Sequence, residues 1–230
     1  MARVASELEK IEFAENPEPR CPCVLLLDTS GSMDGEPIQA LNEGVRTFKE
    51  ALMEDSIAAR RVEVAIITFG DSVEVVQDFV TAEQFEPPVL SASGLTPMGK
   101  AMDKALDMIE ARKETYKRNS ISYFRPWIFM ITDGEPQPAS ELEPFRKAAQ
   151  RMKEADEGKH VLFFAVGVEG ANIELLRKAT VEGRPPVSLR GLNFKEMFRW
   201  LSRSTQAVSR SRVGEQVALP PMEGWAKIET

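Results

Sequence analysis

The chain has 230 residues, of which 43% are hydrophobic and 28% charged, a composition that excludes an intrinsically disordered or membrane-embedded protein. Its 36 acidic and 29 basic residues give a net charge of −7, which argues against nucleic acid as a partner because nucleic-acid-binding domains carry a basic surface. No segment approaches about 18 consecutive apolar residues, and the N-terminus lacks the apolar run of a secretory signal, so we expect a cytoplasmic protein without membrane insertion.

Short apolar runs alternate with longer stretches of helical periodicity, which is the pattern of βα units in a mostly parallel sheet. The predicted strands are Cys23–Leu27, Arg61–Phe69, Val73–Phe79, Trp127–Ile131, Val161–Val168 and Val187–Leu189. The predicted helices are Pro37–Met53, Met98–Lys117, Glu141–Ala155, Asn172–Ala179 and Phe194–Val208. We therefore predict a doubly wound α/β fold, in which helices flank a mostly parallel central sheet.

The edges of this sheet can also be predicted. Gly70 and Asp71 form a tight turn, which joins Arg61–Phe69 to Val73–Phe79 as a hairpin. Because a hairpin reverses the direction of the chain, Val73–Phe79 is predicted to be the one antiparallel strand, at an edge of the sheet. The short run Val187–Leu189 is predicted to be a short edge strand as well.

The length of the chain suits one sizeable α/β domain. Residues 1–20 precede the first strand and are assigned to an N-terminal extension. Residues 21–208 contain all of the predicted strands and helices and are assigned to the domain itself. Residues 209–230 form a C-terminal tail without clear periodicity, and Trp225 is the residue that suggests docking of this tail on the domain rather than a free tether.

Three oxygen-bearing side chains follow the first predicted strand. Asp28, Ser30 and Ser32 occupy alternate positions directly after Cys23–Leu27. A tight turn at Gly31 would direct their oxygens to one point, and ligands of open α/β sheets bind beyond the carboxyl ends of the strands. Carboxylate and hydroxyl oxygens suit a hard cation such as Mg²⁺, Mn²⁺ or Ca²⁺.

Two further ligands are predicted at the same edge of the sheet. Asp133 follows the strand Trp127–Ile131, which we expect beside the first strand, and Thr96 lies in the loop before a long helix. We therefore predict one divalent-cation site, with Mg²⁺ as the expected ion, formed by Asp28, Ser30, Ser32, Thr96 and Asp133. Two carboxylates leave the cation with unbalanced positive charge and an open coordination position, so we expect an Asp or Glu of a protein partner to complete the shell.

The same segments resemble the metal-ion-dependent adhesion site (MIDAS) of von Willebrand factor A (vWA) domains. That site consists of Asp-x-Ser-x-Ser, a later Thr and a later Asp, and the matching residues here are Asp28, Ser30, Ser32, Thr96 and Asp133. The resemblance covers roughly residues 23–208. It implies a Rossmann-like vWA fold and a non-enzymatic protein-interaction module, in which the metal coordinates an acidic residue of the partner.

A narrower resemblance lies within this family. The segments 27–33, 35–38 and 132–136 are similar to the bacterial, cytoplasmic TerY group, which is associated with tellurium resistance operons. This similarity implies an adaptor in a tellurite or stress-response system, with a kinase and a phosphatase as partners. These partners are implied by the resemblance alone.

Two enzymatic alternatives use residues of the same region. The segment Gly94–Lys100 fits the phosphate-binding pattern G-x-x-x-x-G-K, but Ala101 replaces the Ser or Thr that holds Mg²⁺ and Pro97 removes a backbone donor. A phosphoryl-transfer enzyme with Asp28 as the nucleophile would need a second Asp as general acid where the chain has Ser30. Both alternatives therefore lack a required group.

Two non-enzymatic alternatives also exist. Asp and Ser are favoured in capped turns before helices, so the segment from Asp28 to Ser32 is consistent with a turn that binds no metal. A bound metal could also be purely structural and hold the loops together. Chelation distinguishes a structural metal from a contact metal, because partner binding survives removal of a structural ion.

Overall fold

The computed structural model describes residues 11–222 and 224–227. Residues 1–10 of the predicted extension and residues 223 and 228–230 of the predicted tail lie outside the described residues. The strands are β1 (Cys21–Asp28), β2 (Val62–Phe69), β3 (Val73–Thr81), β4 (Trp127–Thr132), β5 (Leu162–Gly167), β6 (Val187–Leu189) and β7 (Ala226–Lys227).

Helices connect most of these strands. They are α1 (Glu36–Met53), α2 (Ser56–Arg61), α3 (Met98–Arg118), α4 (Leu142–Glu157), α5 (Ile173–Leu176) and α6 (Phe194–Arg210). Short 3-10 turns lie at Gly31–Met33, Ala139–Glu141 and Arg177–Ala179, and residues 11–15 are also helical. Within the described residues, no helix is long and apolar enough to span a membrane.

The strands form one sheet in the order β3-β2-β1-β4-β5-β6-β7. β1 pairs in parallel with both β2 and β4, and β5 and β6 extend the parallel part of the sheet. The order of the chain reverses between β1 and β4, because β2 and β3 lie on one side and β5 and β6 on the other. The predicted doubly wound α/β fold is therefore confirmed, and its switch point lies between β1 and β4.

Both edges of the sheet are antiparallel strands. The hairpin strand β3 pairs with β2 at one edge, as predicted. At the other edge β7 pairs with β6, with Ser188 opposite Lys227. The predicted edge position of Val187–Leu189 is therefore wrong, because two residues of the tail cover that strand. Neither the two-residue β7 nor the six-residue helix α2 is long enough to produce a periodic pattern in the sequence.

Helices cover both faces of the sheet, so β1 is buried along its whole length. Its side chains alternate between two cores. Leu25 and Leu27 pack on the face covered by α1 and α6, whereas Val24 and Leu26 pack on the face covered by α3 and α4. A shift of one residue would exchange the two sets, so this burial fixes the register and, with it, the position of Asp28 at the end of the strand.

An ionic cluster anchors the start of the sheet. Arg20 and Glu63 are both 0% exposed, and Arg20 Nε lies 2.9 Å from Glu63 Oε1. Arg112 Nη2 lies 2.8 Å from the same oxygen, and the Tyr116 hydroxyl donates a hydrogen bond to the other carboxylate oxygen. Since Arg20 precedes β1 and Glu63 lies in β2, the cluster links the beginnings of two adjacent strands. A buried carboxylate of this kind is tolerated because several donors satisfy it.

The described part of the tail packs on the domain. Trp225 is 2% exposed, and its ring centroid lies 5.4 Å from that of Trp200 in α6. Trp200 Nε1 donates a hydrogen bond of 2.8 Å to the carbonyl oxygen of Pro220. The segment around Trp225 is therefore docked on the domain and is not a free tether.

We expect Trp225→Ala to lower the free energy of unfolding by about 3–5 kcal/mol, because it removes a buried aromatic ring and leaves a cavity beside Trp200. Urea unfolding followed by circular dichroism measures the change. Val213→Ala is the matched control, since Val213 is in the same tail but 45% exposed. Equal stability of Trp225→Ala and wild type would show that docking of the tail does not stabilise the folded state.

Candidate metal centre

The structure brings the five predicted ligands to one edge of the sheet. Asp28 is the last residue of β1, Asp133 directly follows β4, and the register of these parallel strands pairs Leu27 with Ile131. Ser30 directly precedes the 3-10 turn that follows β1, and Ser32 lies within that turn. Thr96 lies just before α3. Asp28, Ser30 and Thr96 are buried, Asp133 is half-buried and Ser32 is exposed.

The loop after β1 is folded around the carboxylate of Asp28. The backbone N–H of Ser30 donates a hydrogen bond of 2.8 Å to Asp28 Oδ1. The N–H of Met33 donates to the Ser30 carbonyl at 3.0 Å, which closes the turn. This fold brings the hydroxyl oxygens of Ser30 and Ser32 to 3.1 Å from each other. The turn therefore brings the two hydroxyl groups together after the Asp28 carboxylate, while their role as metal ligands stays a prediction.

Hydrogen bonds also join the ends of β1 and β4. The Thr132 hydroxyl donates to Asp28 Oδ2 at 2.5 Å, and the Ser32 hydroxyl donates to Asp133 Oδ1 at 2.9 Å. The contact of Thr132 with Asp28 is not among the sequence predictions, because a Thr at the end of an apolar strand has the pattern of an ordinary strand residue. The position of Thr132 directly before Asp133 and opposite the end of β1 is the signal that could have identified it.

Thr96 reaches the site from a loop on the far side of Asp28. Its backbone forms an antiparallel bridge with Gln137, whose N–H lies 3.1 Å from the Thr96 carbonyl oxygen. A Cβ atom built on Gly134 would lie 3.5 Å from Thr96 Oγ1 and 3.9 Å from Asp28 Oδ2. The Thr96 hydroxyl and the Asp28 carboxylate therefore face the same space beside Gly134, which a larger residue would fill.

The loop that carries Thr96 depends on close backbone contacts. Gly94 has a φ of +79°, in the left-handed region that favours glycine, and a Cβ atom at this position would lie 2.1 Å from Asp71 Oδ1. The Gly94 carbonyl accepts a hydrogen bond of 3.0 Å from the N–H of Gly31. The N–H of Ser93 donates to the Thr29 carbonyl at 2.8 Å. These bonds join the Thr96 loop directly to the loop after β1.

Burial raises the pKa of both carboxyl groups. The pKa of Asp28 rises from 3.8 to about 6 because of burial, with hydrogen bonds from Ser30 and Thr132 opposing the rise and the charge of Asp133 adding to it. Burial also raises the pKa of Asp133, and the hydrogen bond from Ser32 opposes this rise. All of these hydrogen-bond partners are neutral. A divalent cation beside the two carboxylates would stabilise their charged forms, so the charge distribution fits a cation.

The composition of the donor set restricts the type of metal. Within residues 11–222 and 224–227, no three His, Cys, Asp or Glu side chains cluster in a way that could hold a metal ion. The candidate site has two carboxylates, those of Asp28 and Asp133. A cation bound there would depend on the hydroxyl oxygens of Ser30, Ser32 and Thr96 for its remaining protein ligands. Such an all-oxygen set fits hard cations and excludes the softer metals that need thiolate or imidazole ligands.

The geometry does not favour a nucleotide site at Gly94–Lys100. Lys100 Nζ lies 2.6 Å from Glu141 Oε1, so its charge is already paired. The residue that directly precedes α3 is Pro97, which has no N–H for a phosphate oxygen. The backbone N–H of Thr96 points to the Gln137 carbonyl at 3.3 Å. The side-chain charge of Lys100 and two backbone positions of this loop are therefore not available to a phosphate group.

Known proteins share the fold of this chain. It is similar to the SpaC pilus adhesin of Lactobacillus rhamnosus GG, with a TM-score of 0.65 and 12% identity over 83% of this chain and 30% of that chain. It is similar to the PilB minor pilin of Streptococcus sanguinis, with a TM-score of 0.56 and 12% identity over 82% of this chain and 62% of that chain. The manganese-loaded TRAP protein of Plasmodium vivax has a TM-score of 0.52 and 17% identity over 76% of this chain and 69% of that chain.

These identities are low, so the structural similarities show the fold alone. The chain spans less than two thirds of the length of the two pilus proteins. No curated protein matches it. The family model of the von Willebrand factor type A domain, however, matches residues 23–198, which is most of the chain. With this match and the doubly wound sheet, the chain belongs to the von Willebrand factor type A domain family.

Proposed function

We propose that this chain is a non-enzymatic, metal-dependent protein-interaction domain. One divalent cation would be bound by Asp28, Ser30, Ser32, Thr96 and Asp133 and would coordinate an Asp or Glu carboxylate of a partner. vWA domains commonly act as metal-dependent interaction modules, so the family supports the general role. For this chain we propose, in addition, which residues bind the metal and which group of the partner coordinates it.

One observation carries the proposal. Asp28 ends β1 and Asp133 directly follows the adjacent strand β4, and the hydroxyl groups around them donate to them or lie beside them. The raised pKa of Asp28 means that its charged form is unfavourable in the folded chain without a cation. A capped turn would need neither the second carboxylate nor the hydroxyl of Thr96, so a cation explains more of the geometry than the turn does.

The exposure of the ligands indicates where a partner would approach. Asp28, Ser30 and Thr96 are buried, whereas Ser32 is exposed and Asp133 half-buried. A cation in this shell would therefore be open to solvent on the side of Ser32 and Asp133. Leu95, which precedes Thr96, is 49% exposed and gives the partner an apolar contact next to the metal. A carboxylate entering from this side would fill an open coordination position.

The oxygen ligands favour Mg²⁺, with Mn²⁺ and Ca²⁺ as the alternatives. Mg²⁺ keeps a small octahedral shell and accepts few protein carboxylates, which agrees with two Asp side chains and several neutral oxygens. The manganese-loaded state of the similar TRAP protein supports Mn²⁺ as the alternative to Mg²⁺ at this site.

The resemblance of residues 27–33, 35–38 and 132–136 to the TerY group supports a more specific role. In that role the chain is a cytoplasmic bacterial adaptor in a tellurite or stress response, and its partners are a kinase and a phosphatase. The metal would then connect the adaptor to an acidic residue of one of these enzymes. This assignment rests on the resemblance.

We expect calorimetric titration of metal-stripped protein with Mg²⁺ or Mn²⁺ to show saturable binding at one site. Asp28→Ala and Asp133→Ala should each abolish this binding, because each removes a carboxylate from the shell. Asp34→Ala is the matched control, since Asp34 is exposed in the same loop and is not a predicted ligand. Wild-type protein that binds neither ion at millimolar concentration, or variants that bind like wild type, would contradict the proposed site.

The buried charge of Asp28 predicts a second effect, on stability without metal. Its pKa in the folded chain is about 6, above the ordinary value of 3.8. The carboxylate therefore destabilises the metal-free fold above pH 6, and this effect disappears as the pH falls towards 4. We expect Asp28→Asn to be more stable than wild type in EDTA at pH 8, by on the order of 1–3 kcal/mol.

Urea unfolding at pH 8, 6 and 4 measures this difference, which should shrink as the pH falls because wild-type Asp28 becomes neutral as well. Addition of Mg²⁺ at pH 8 should stabilise wild type and leave Asp28→Asn unchanged. An Asn variant that is less stable than wild type at pH 8 in EDTA would mean that Asp28 is a structural carboxylate rather than a ligand.

For the narrower role, we expect affinity purification from native cells to recover a kinase or a phosphatase in buffer with Mg²⁺. The recovery should fail in EDTA and with Asp28→Ala, because both remove the proposed contact metal. Circular dichroism must show that the variant and the EDTA-treated protein remain folded. Absence of both enzymes would count against the TerY-like role. Recovery of either enzyme in EDTA would show that the metal does not form the contact with the partner.

A further inference from the structure

Two cavities that share one lining residue lie outside the metal centre, the larger near the amino ends of β4 and β5 and the smaller beside the middle of these strands and the start of β6. The larger has a volume of about 580 Å³, and its lining includes Arg125, Trp127, Lys159 and Arg184. The smaller has a volume of about 140 Å³, and its lining includes Phe129, Phe164, Val187, Met222 and Trp225. Arg184 lines both cavities. None of the five proposed metal ligands contributes to either.

The charged groups around Arg184 carry an excess of positive charge. Arg125 and Arg184 both pair with one oxygen of the buried Asp156, at 2.7 Å for Arg125 Nη2. The other oxygen of Asp156 accepts a hydrogen bond of 3.1 Å from the N–H of Phe163, so both oxygens of this carboxylate have partners. Lys159 and Glu215 also line the larger cavity. Three cations therefore face two carboxylates, in a chain whose overall charge is −7.

The cavity walls also hold buried donors without an acceptor. Trp127 Nε1, Arg184 Nε and Trp225 Nε1 are buried, and none has a hydrogen-bond partner among the described residues. Trp127 is 0% exposed and Trp225 is 2% exposed. All three groups donate and none accepts, and a buried donor without a partner is unfavourable. Oxygen atoms of an anion are the complementary group.

We propose that these cavities bind a small aromatic carboxylate, with its ring in the smaller cavity and its carboxylate group at Arg184. An apolar cavity of roughly 150 Å³ is large enough for a benzene-sized molecule. Phe129, Phe164 and Trp225 give the smaller cavity aromatic walls for the ring. Arg184 pairs with Asp156 through Nη2 and leaves its buried Nε without a partner, while the side chain as a whole is 24% exposed.

Residues of the C-terminal tail form part of this proposed site. Met222 and Trp225 line the smaller cavity but lie beyond residues 23–198, which match the family. Gly214, Glu215 and Leu219 line the larger one. Binding would therefore stabilise the docked tail, because the ligand contacts the tail and the domain at the same time.

The test uses 4-fluorobenzoate and fluorine NMR on the full chain in EDTA, so that it does not depend on the proposed metal site. We expect saturable binding of 4-fluorobenzoate. The neutral 4-fluorobenzamide has the same ring, and we expect it to bind at least about tenfold more weakly because it lacks the charge that Arg184 recognises. Equal binding of the two compounds, or no binding of either, would overturn the proposal.

Variants locate the site. Arg184→Met should raise the Kd of 4-fluorobenzoate by at least about tenfold. Arg203→Met is the matched control, because Arg203 is an exposed arginine of α6 and its loss changes the net charge equally. Gly183 lines the smaller cavity, and a Cβ atom built on it meets no atom within 4 Å, so Gly183→Leu should fold and block both compounds.

Thermal unfolding of each variant shows whether it is folded before titration. If Arg184→Met does not fold, the comparison of benzoate with benzamide and the Gly183→Leu variant still decide the outcome. Unchanged affinity in folded Arg184→Met, or in folded Gly183→Leu, would show that the compound binds elsewhere and would overturn the proposed site.

Discussion

The parallel pairing of β1 with β4 is the constraint on which the candidate metal centre depends. Its register places the ends of the two strands side by side, so that the Thr132 hydroxyl donates to the carboxylate of Asp28. The order of the chain reverses at this point, which leaves a crevice that the crossing helices do not cover. The loops that carry Ser32, Thr96 and Asp133 meet in that crevice. Burial of both faces of β1 holds the register, and so the hydrophobic cores set the geometry of the polar rim.

Two buried carboxylates of the chain differ in the charge of the groups that surround them. At the start of the sheet, Glu63 is paired with Arg20 and Arg112, and its charge is matched within the protein. At the other end, Asp28 accepts hydrogen bonds only from neutral groups, and burial raises its pKa to about 6. The first arrangement holds two strands together, whereas the second leaves negative charge for an external cation.

The fold and much of the rim could be predicted because both depend on local patterns. Apolar runs such as Cys23–Leu27 mark the strands, and polar residues directly after them mark the edge where ligands bind. The contact between Thr96 and Gln137 could not be predicted, because it joins two loops that have no pattern of their own. β7 has two residues and depends on packing of Trp225 rather than on periodicity. The role of Thr132 was hidden for a related reason, since a β-branched residue suits any strand.

A crystal structure of the chain grown with Mn²⁺, with data collected at the manganese absorption edge, tests the central claim most directly. The account predicts one strong anomalous peak in the crevice between β1 and β4, about 2.0–2.6 Å from oxygen atoms of its protein ligands. Those ligands would come from Asp28, Ser30, Ser32, Thr96 and Asp133, with water or a neighbouring carboxylate at the open position. A crystal saturated with Mn²⁺ that shows no peak there, or a peak only elsewhere, would contradict it.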